Sequence, residues 1–507
     1  MTWVTGRETR NWRPEKCAQD ALLARHLKSC TCCLIRTPLA KFNERAPQGT
    51  IRMLIKTVRS EIVSHLSYLV ASKGEAFVVD PRRDCEVYHE IAQDQGIRIR
   101  EIFETHRNED YVAGSIELSR LTNARIHHGP GLPWKYGETL TDGEEFGIGA
   151  LKVVALHTPG HSPDSTCYVL YDRESGERPV MVFCGDTLFV GDVGRTDLLG
   201  DKYTAMMSGK IYDSLQEKLL PLGDGVVVLP AHGYGSVCGG TIREREISTI
   251  GAERAMNPLL GLPRDEFIER KVGEKHETPP YFSVMKRYNL EGPPVPLHLP
   301  APPALTPAGF QAALAGGIPV IDTRTPPAFG GAHIEGSYSL PPTRLSNAGW
   351  VAPVEKDVLL VVEDSRALDF AVRNLYRMGY TSFAGYLAGG IEAWYKEGYP
   401  LSRVDLLTCR QLNTLIMAGE QPVIVDVRRH SEWDEGHISG ATHIYLGRLP
   451  ERLGEIPEGK PVVLQCKTGT RSSFAASILK KAGRTRVCNL LGGIDSWKKL
   501  GYSLVKD

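Results

Sequence analysis

The chain has 507 residues, is 42% hydrophobic and 24% charged, and sets 60 Lys+Arg against 60 Asp+Glu. Nothing in that balance suggests nucleic acid or an anionic membrane surface as the main partner, and no apolar run approaches the roughly 18 residues of a spanning helix. The length suggests about three domains, and the eleven scattered Cys read as free thiols of a reducing compartment, the cytoplasm, rather than a disulfide framework.

Residues 1–52 carry several Arg and the cluster Cys30, Cys32, Cys33, with no clear period. The cluster's spacing fits no common zinc pattern. The amino terminus lacks the apolar core of a secretory signal, and Glu8, Glu15 and Asp20 count against a mitochondrial transit peptide. This stretch is expected to be a poorly ordered extension or the product of an upstream start, with Met53 opening the regular chain. From there, β-rich runs alternate with turn signals: SYLVA, EAFVVDPRRD, IREIFETH and LKVVALHTPGH, later VMVFCGD and VVVLPAHG. Residues 80–96 read as a turn into an amphipathic helix. Chemically able residues sit just after the strands, where a scaffold presents a site on its loops. Asp80, ending FVVD, is expected to brace such a loop, and His157, just before Pro159, to be structural.

FETHRNEDYVAG, residues 103–114, is a metal motif with pieces missing. His106 and Asp110 are present, but Asn108 and Tyr111 stand where two further histidines would complete His-x-His-x-Asp-His. Either no metal binds, or the site serves a different metal and reaction. Four stretches, THRNEDY (105–111), HTPGHSPDS (157–165), CGDTLF (184–189) and LPAHG (229–233), resemble the metallo-β-lactamase superfamily over residues 53–297. GRTDL (194–198), GYGSVCGG (233–240) and ERAMNPLL (253–260) are similar to the persulfide dioxygenases within it. The two-metal hydrolases of the superfamily would lose one ligand per metal here. What survives is His106, His161 and Asp186, and two histidines with one carboxylate form the facial triad of non-haem Fe(II) oxygenases. The resemblance implies one Fe(II) per chain on these three residues. It leaves Asp110, Tyr111 and His232 as supporting or substrate-facing groups. Arg195 is expected either to hold an anionic substrate tail or to form a structural salt bridge.

Residues 276–304 are dense in Pro, and PVPLHLPAPP reads as an extended connector, placing a boundary near 298. An internal repeat follows. VIDTRTPPAFGGAHIEGS (320–337) matches IVDVRRHSEWDEGHISGA (424–441), pairing Asp322 with Asp426, Arg324 with Arg428 and His333 with His437. Each copy reads strand, helix, strand, helix, which predicts a mainly parallel sheet with helices on both faces.

In the second copy, VVLQCKTGTRSSFAASILKKAG sets Cys466 between a buried strand and a helix start. Helix dipole and loop N–H groups there stabilise negative charge on sulfur. Arg471 adds a fixed cation, Gly469 permits the tight turn, and Lys467 lies in the same loop. Cys-x-x-Gly-x-Arg with its flanks resembles the active loop of rhodanese sulfurtransferases. That implies a persulfide carried on Cys466. The six-residue loop Cys466–Arg471 is one shorter than in related phosphatases, favouring sulfur over phosphate. The first copy has no Cys, and Glu363 or Asp364 is expected near the missing thiol, making it catalytically silent.

The expected architecture is therefore α/β throughout. A poorly ordered extension (1–52) precedes a metallo-β-lactamase αββα sandwich (53–297), a silent rhodanese-like domain (298–402) and a rhodanese domain with Cys466 (403–507). Resemblance to persulfide dioxygenase–rhodanese fusions implies a small-molecule persulfide, of glutathione or coenzyme A, oxidised by O2 to sulfite. Sulfite or thiosulfate would then be handled at Cys466, in sulfide detoxification. No nucleic acid or membrane partner is expected, and a homo-oligomer is left open. The alternatives are a dinuclear-zinc thioester hydrolase like glyoxalase II and a non-catalytic sulfur carrier.

Overall fold

The computed structural model describes residues 53–506, so the 1–52 extension with Cys30, Cys32 and Cys33 lies outside the described residues. Six strands from Leu54–Ser60 to Glu138–Thr139 pair in chain order into one sheet, and six from Glu145–Ile148 to Ser248–Thr249 into a second. The strand His65–Ser72 is buried along its whole length, because its sheet is covered on both faces. Inward-facing Tyr68, Phe77 and Phe103 meet Tyr168, Phe183 and Leu229 from the other sheet in one core. Each such fully buried side chain contributes roughly 1.5–3 kcal/mol. Helices Glu86–Gln95 and Ser115–Thr122 cover one outer face through Tyr88, Ala92 and Leu118. Helices Asp201–Ser214 and Arg264–Val272 cover the other through Ile211 and Phe267. This is the predicted αββα sandwich.

From Gly292 to Pro303 the chain carries no helix or strand, as the prolines require. Two five-stranded sheets follow, wholly parallel and of identical topology, with strand order 1-5-4-2-3 counted along each copy. The repeated Asp-x-Arg is a structural staple in both. Arg324 reaches Asp322 and Arg428 reaches Asp426 at 2.6 Å, and each guanidinium also donates to a carbonyl of the next turn, Ala332 or Gly436.

The register corrects one expectation. Asp322 pairs with Val361 and Asp426 with Gln465, so Val362, not Glu363 or Asp364, stands where Cys466 does. The turn in the first copy is shorter, and Asp364 is spent capping the helix Ser365–Arg377 by accepting from the Ala367 N–H at 2.8 Å. All three modules share one apolar cluster. Val112, Tyr281 and Met285 join Leu345 and Leu375 of the first copy and Leu464, Cys466 and Phe474 of the second.

Candidate functional site

His106, His161, Asp186 and His232 each follow the end of a strand of the sandwich, and all are buried. Asp80, in a left-handed conformation with φ 48°, accepts from the Thr105 backbone N–H and Oγ1 at 2.8 Å each, bracing the loop as expected. Thr105 Oγ1 thus spends its proton on Asp80 and must accept from His106 Nδ1 at 2.9 Å. His161 Nδ1 donates to the Arg195 carbonyl at 2.9 Å. Both rings therefore turn an unprotonated Nε2 inward. Burial holds both imidazoles neutral, with His106 down at about 3 and His161 at about 4.

Asp186 Oδ2 lies 3.7 Å from His106 Nε2 and 3.4 Å from His161 Nε2. All three atoms are buried without a hydrogen-bond partner, although such atoms are normally paired. Asp186 Oδ1 is held by His232 Nδ1 at 2.7 Å, and His232 Nε2 lies 3.3 Å from Asp110. Burial alone would lower His232, but Asp186 and Asp110 push it well above its ordinary value. Burial would likewise raise Asp186, yet the charge and hydrogen bond of His232, with the other imidazoles, hold it well below the carboxylate range. A second group, Asp110, His232 and Cys238, could also hold an ion, as could His106 and His161 with Glu109.

The replacements have found other work. Tyr111 stacks on His65 with ring centroids 4.0 Å apart, and its hydroxyl is buried without a partner. Asn108 donates to the His106 carbonyl at 3.3 Å. His157 donates to the Pro163 carbonyl at 2.9 Å, as a structural residue would. Of the two readings of Arg195, the geometry gives the salt bridge. Its Nε and Nη2 are paired with Asp197 at 2.7 Å, and Nη1 donates to the Glu277 carbonyl at 3.0 Å. No donor remains for a substrate tail. Glu109 and Cys238 lie inside quoted motifs and His65 outside them, but none stands at a ligand position of the His-x-His-x-Asp-His pattern, so nothing local marked them. Asn289 is missed for the same reason: it donates to the Asn108 and Tyr111 carbonyls at 2.9 and 2.7 Å and accepts from the Ala113 N–H at 2.9 Å, from far along the chain.

The second cluster forms where the strand Val462–Gln465 meets the helix Thr470–Lys481. Cys466 Sγ accepts from the Gly469 N–H at 3.1 Å. Gly469 has φ 99°, and a Cβ there would lie 3.1 Å from the Leu490 carbonyl, so the loop needs glycine. Ser472 donates to Asn489 at 2.7 Å, and Asn489 ties down the Gly469 carbonyl at 3.1 Å. Arg471 forms a two-pronged pair with Glu432 at 2.5 and 2.6 Å. Burial would raise Glu432, but Arg471 holds it at about 2. Lys467 is exposed and has no ion-pair partner among the described residues.

Residues 61–232 match the metallo-β-lactamase superfamily, and residues 306–397 and 408–500 each match the rhodanese-like domain. The chain is a fusion of a metallo-β-lactamase superfamily domain with two rhodanese-like domains. The bovine mitochondrial persulfide dioxygenase ETHE1 is 28% identical over 42% of this chain and 77% of its own length. An uncharacterized Mycobacterium leprae protein is 41% identical over 24% of this chain, which spans only 44% of that relative's length. A metallo-β-lactamase from Staphylococcus aureus subsp. aureus COL, solved by crystallography, is 28% identical with a TM-score of 0.58. It covers 66% of this fusion and 98% of its own chain, more than the metallo-β-lactamase segment alone could supply.

Proposed function

We propose that the fusion oxidises a low-molecular-weight persulfide, of glutathione or coenzyme A, to sulfite at a mononuclear iron site, and transfers sulfane sulfur at Cys466. The observation that carries the first half is the convergence of three buried, unpartnered ligand atoms on His106, His161 and Asp186. Two neutral imidazoles and a carboxylate suit ferrous iron with open positions. Similarity to the bovine persulfide dioxygenase supports the substrate class. The overall reaction balances as RSSH + O2 + H2O giving RSH, sulfite and two protons. Ferrous iron supplies the one-electron chemistry that ground-state O2 requires.

The protein's own part is geometric. His232, held between Asp186 and Asp110, turns one carboxylate oxygen inward and keeps the other occupied. Thr105 and the Arg195 carbonyl fix the two imidazole tautomers. Tyr111, in place of the motif's third histidine, stacks on His65 and gives no nitrogen to a second ion. At the other site Gly469 N–H donates to the Cys466 sulfur. A persulfide there passes its outer sulfur to sulfite: the S–S bond breaks, a new one forms in thiosulfate, and the electron pair returns to Sγ.

The test is O2 uptake and sulfite formation by the Fe(II)-loaded protein on adding glutathione persulfide, with Asp186→Ala as control. Uptake that vanishes in the variant is the expected result; no uptake by an iron-loaded protein sinks the reading. One observation favours a second reading, the dinuclear-zinc thioester hydrolase. Asp110, His232 and Cys238 lie close enough to share another ion. Two zinc ions per chain, with thioester hydrolysis, would select it.

A further inference from the structure

The cysteine-less copy lays its strand Tyr338–Ser339 against the helix that follows Cys466, and its 3-10 helix Pro342–Trp350 against Tyr445 and Gly447 of the same domain. Ser339 Oγ meets Ser473 Oγ at 2.7 Å, and the Ser339 N–H donates to Ser477 at 3.2 Å. Trp350 packs edge-on against Tyr445, and flush on Gly447, where a Cβ would fall 2.3 Å from the indole. From this wall comes Arg344. Its Nε is buried with no hydrogen-bond partner, and no carboxylate pairs with it among the described residues. The charged groups facing it are Arg471, the Cys466 sulfur, Glu432 and Arg429; burial first, then Arg471, lowers its guanidinium below the ordinary value.

Arg471 is in a matching state. Its two Nη atoms are taken by Glu432, while its Nε is buried and unpartnered. Beside Cys466, Arg344 and Arg471 thus bring two buried, unsatisfied Nε–H donors from two different domains, and Glu432 is already taken by the Nη atoms of Arg471. Buried cationic donors are costly unless something anionic answers them, and a planar guanidinium suits oxygens of a small oxyanion.

We propose that the cysteine-less copy is a working part of the sulfur-transfer site: Arg344 binds the oxygens of a sulfur oxyanion, sulfite or thiosulfate, reacting at Cys466. This rests on the reading that Cys466 carries sulfane sulfur. The step is Cys466–S–S⁻ + SO3²⁻ giving Cys466–S⁻ + S2O3²⁻. The lone pair of sulfite sulfur forms the new S–S bond, and the old bond's pair stays on Sγ. No outside oxidant or reductant is needed. Arg344 and Arg471 would gather the dianion's negative charge while its sulfur faces the persulfide.

The experiment uses the full chain and two arms. In the kinetic arm, thiosulfate:cyanide transfer is followed in Arg344→Ala and Arg344→Lys. The KM for thiosulfate should rise roughly tenfold or more in Arg344→Ala and less in Arg344→Lys, with the KM for cyanide unmoved. O2 uptake with glutathione persulfide should also be unchanged. An unchanged thiosulfate KM, or a fall in kcat for every acceptor with KM untouched, overturns the proposal in favour of a packing role. In the binding arm, calorimetry measures thiosulfate affinity for C466S and for C466S/R344A, where no turnover occurs. Weakening by tenfold or more in the double variant supports the anion site, and equal affinities overturn it. Absent transfer by the unaltered protein would instead sink the sulfur-carrier reading, while the binding arm still decides Arg344.

Discussion

Gly194 shows how little room surrounds the His-His-Asp cluster. A Cβ added there would fall 2.0 Å from the Asp186 carbonyl oxygen and 3.0 Å from His161 Nδ1. Neither neighbour is a flexible side-chain end, so the carbonyl and the ring must both shift. Gly194→Ala is therefore expected to lower iron affinity by about ten- to a hundredfold, the range for lost support of a ligand, with the fold retained. Iron content per chain and a thermal melt check this; a full iron equivalent would show that the ligands tolerate displacement. Glu432 provides a pH-dependent case. Arg471 holds it at about 2, below its ordinary 4.5. A depressed carboxylate contributes stability present above the unfolded value and lost as pH falls through the folded one, here between about 4.5 and 2. Its side chain is 24% exposed, so a contribution of about 1–2 kcal/mol is expected. Urea unfolding of Glu432→Gln should fall short of the unaltered protein by that amount at pH 6, and the gap should narrow at pH 3.5. A gap independent of pH would mean the pair contributes through packing alone.

The loop His106–Ala113 is held from outside its own sheet. Asn289, on the helix Phe282–Glu291, satisfies three buried backbone groups of the loop. From the cysteine-less copy, the Arg377 carbonyl accepts the Val112 N–H at 2.8 Å. Removing Asn289 strands those backbone groups at about 1–3 kcal/mol each. Asn289→Ala should lower both thermal stability and iron content, and Asn289→Asp, which keeps one acceptor and loses both donors, should rescue only part. Equal iron retention in both variants would show that the loop keeps its own shape. These supports explain what was legible in sequence. His106, His161, Asp186 and Cys466 sit beside strand ends within short motifs, and their chemistry follows from residue type and spacing. The Asp-x-Arg staples repeat, so the two copies declare each other. Asn289 and Arg344 act across more than a hundred residues of chain, with no local period or motif to mark them. The position of Val362 also escaped, because a one-residue difference in turn length is visible only in the strand register.

The cysteine-less copy joins the whole molecule together. It is bonded to both neighbouring domains: Arg377 and Asp84 form a buried two-pronged pair at 2.7 and 2.8 Å with the metallo-β-lactamase domain, and Ser339 engages the Cys466 helix. The apolar cluster running from Val112 through Leu375 to Phe474 has no break at either domain boundary. Fused domains usually meet through modest polar interfaces and unfold separately. Here each module would expose part of a common core if another unfolded. The three should therefore unfold together. Hydrogen exchange followed along a urea titration, reading peptides from each module, should give one shared midpoint. Arg377→Ala removes that two-pronged partner and leaves buried Asp84 to Arg82 at 2.7 Å and Arg373 at 3.7 Å, a loss of about 1–3 kcal/mol. It should lower the midpoint in all three modules, not only in the two that share the pair. Separate midpoints in the unaltered chain, or a shift confined to residues near Asp84, would mean that the cysteine-less copy is a spacer and that the two sites are joined only by the polypeptide.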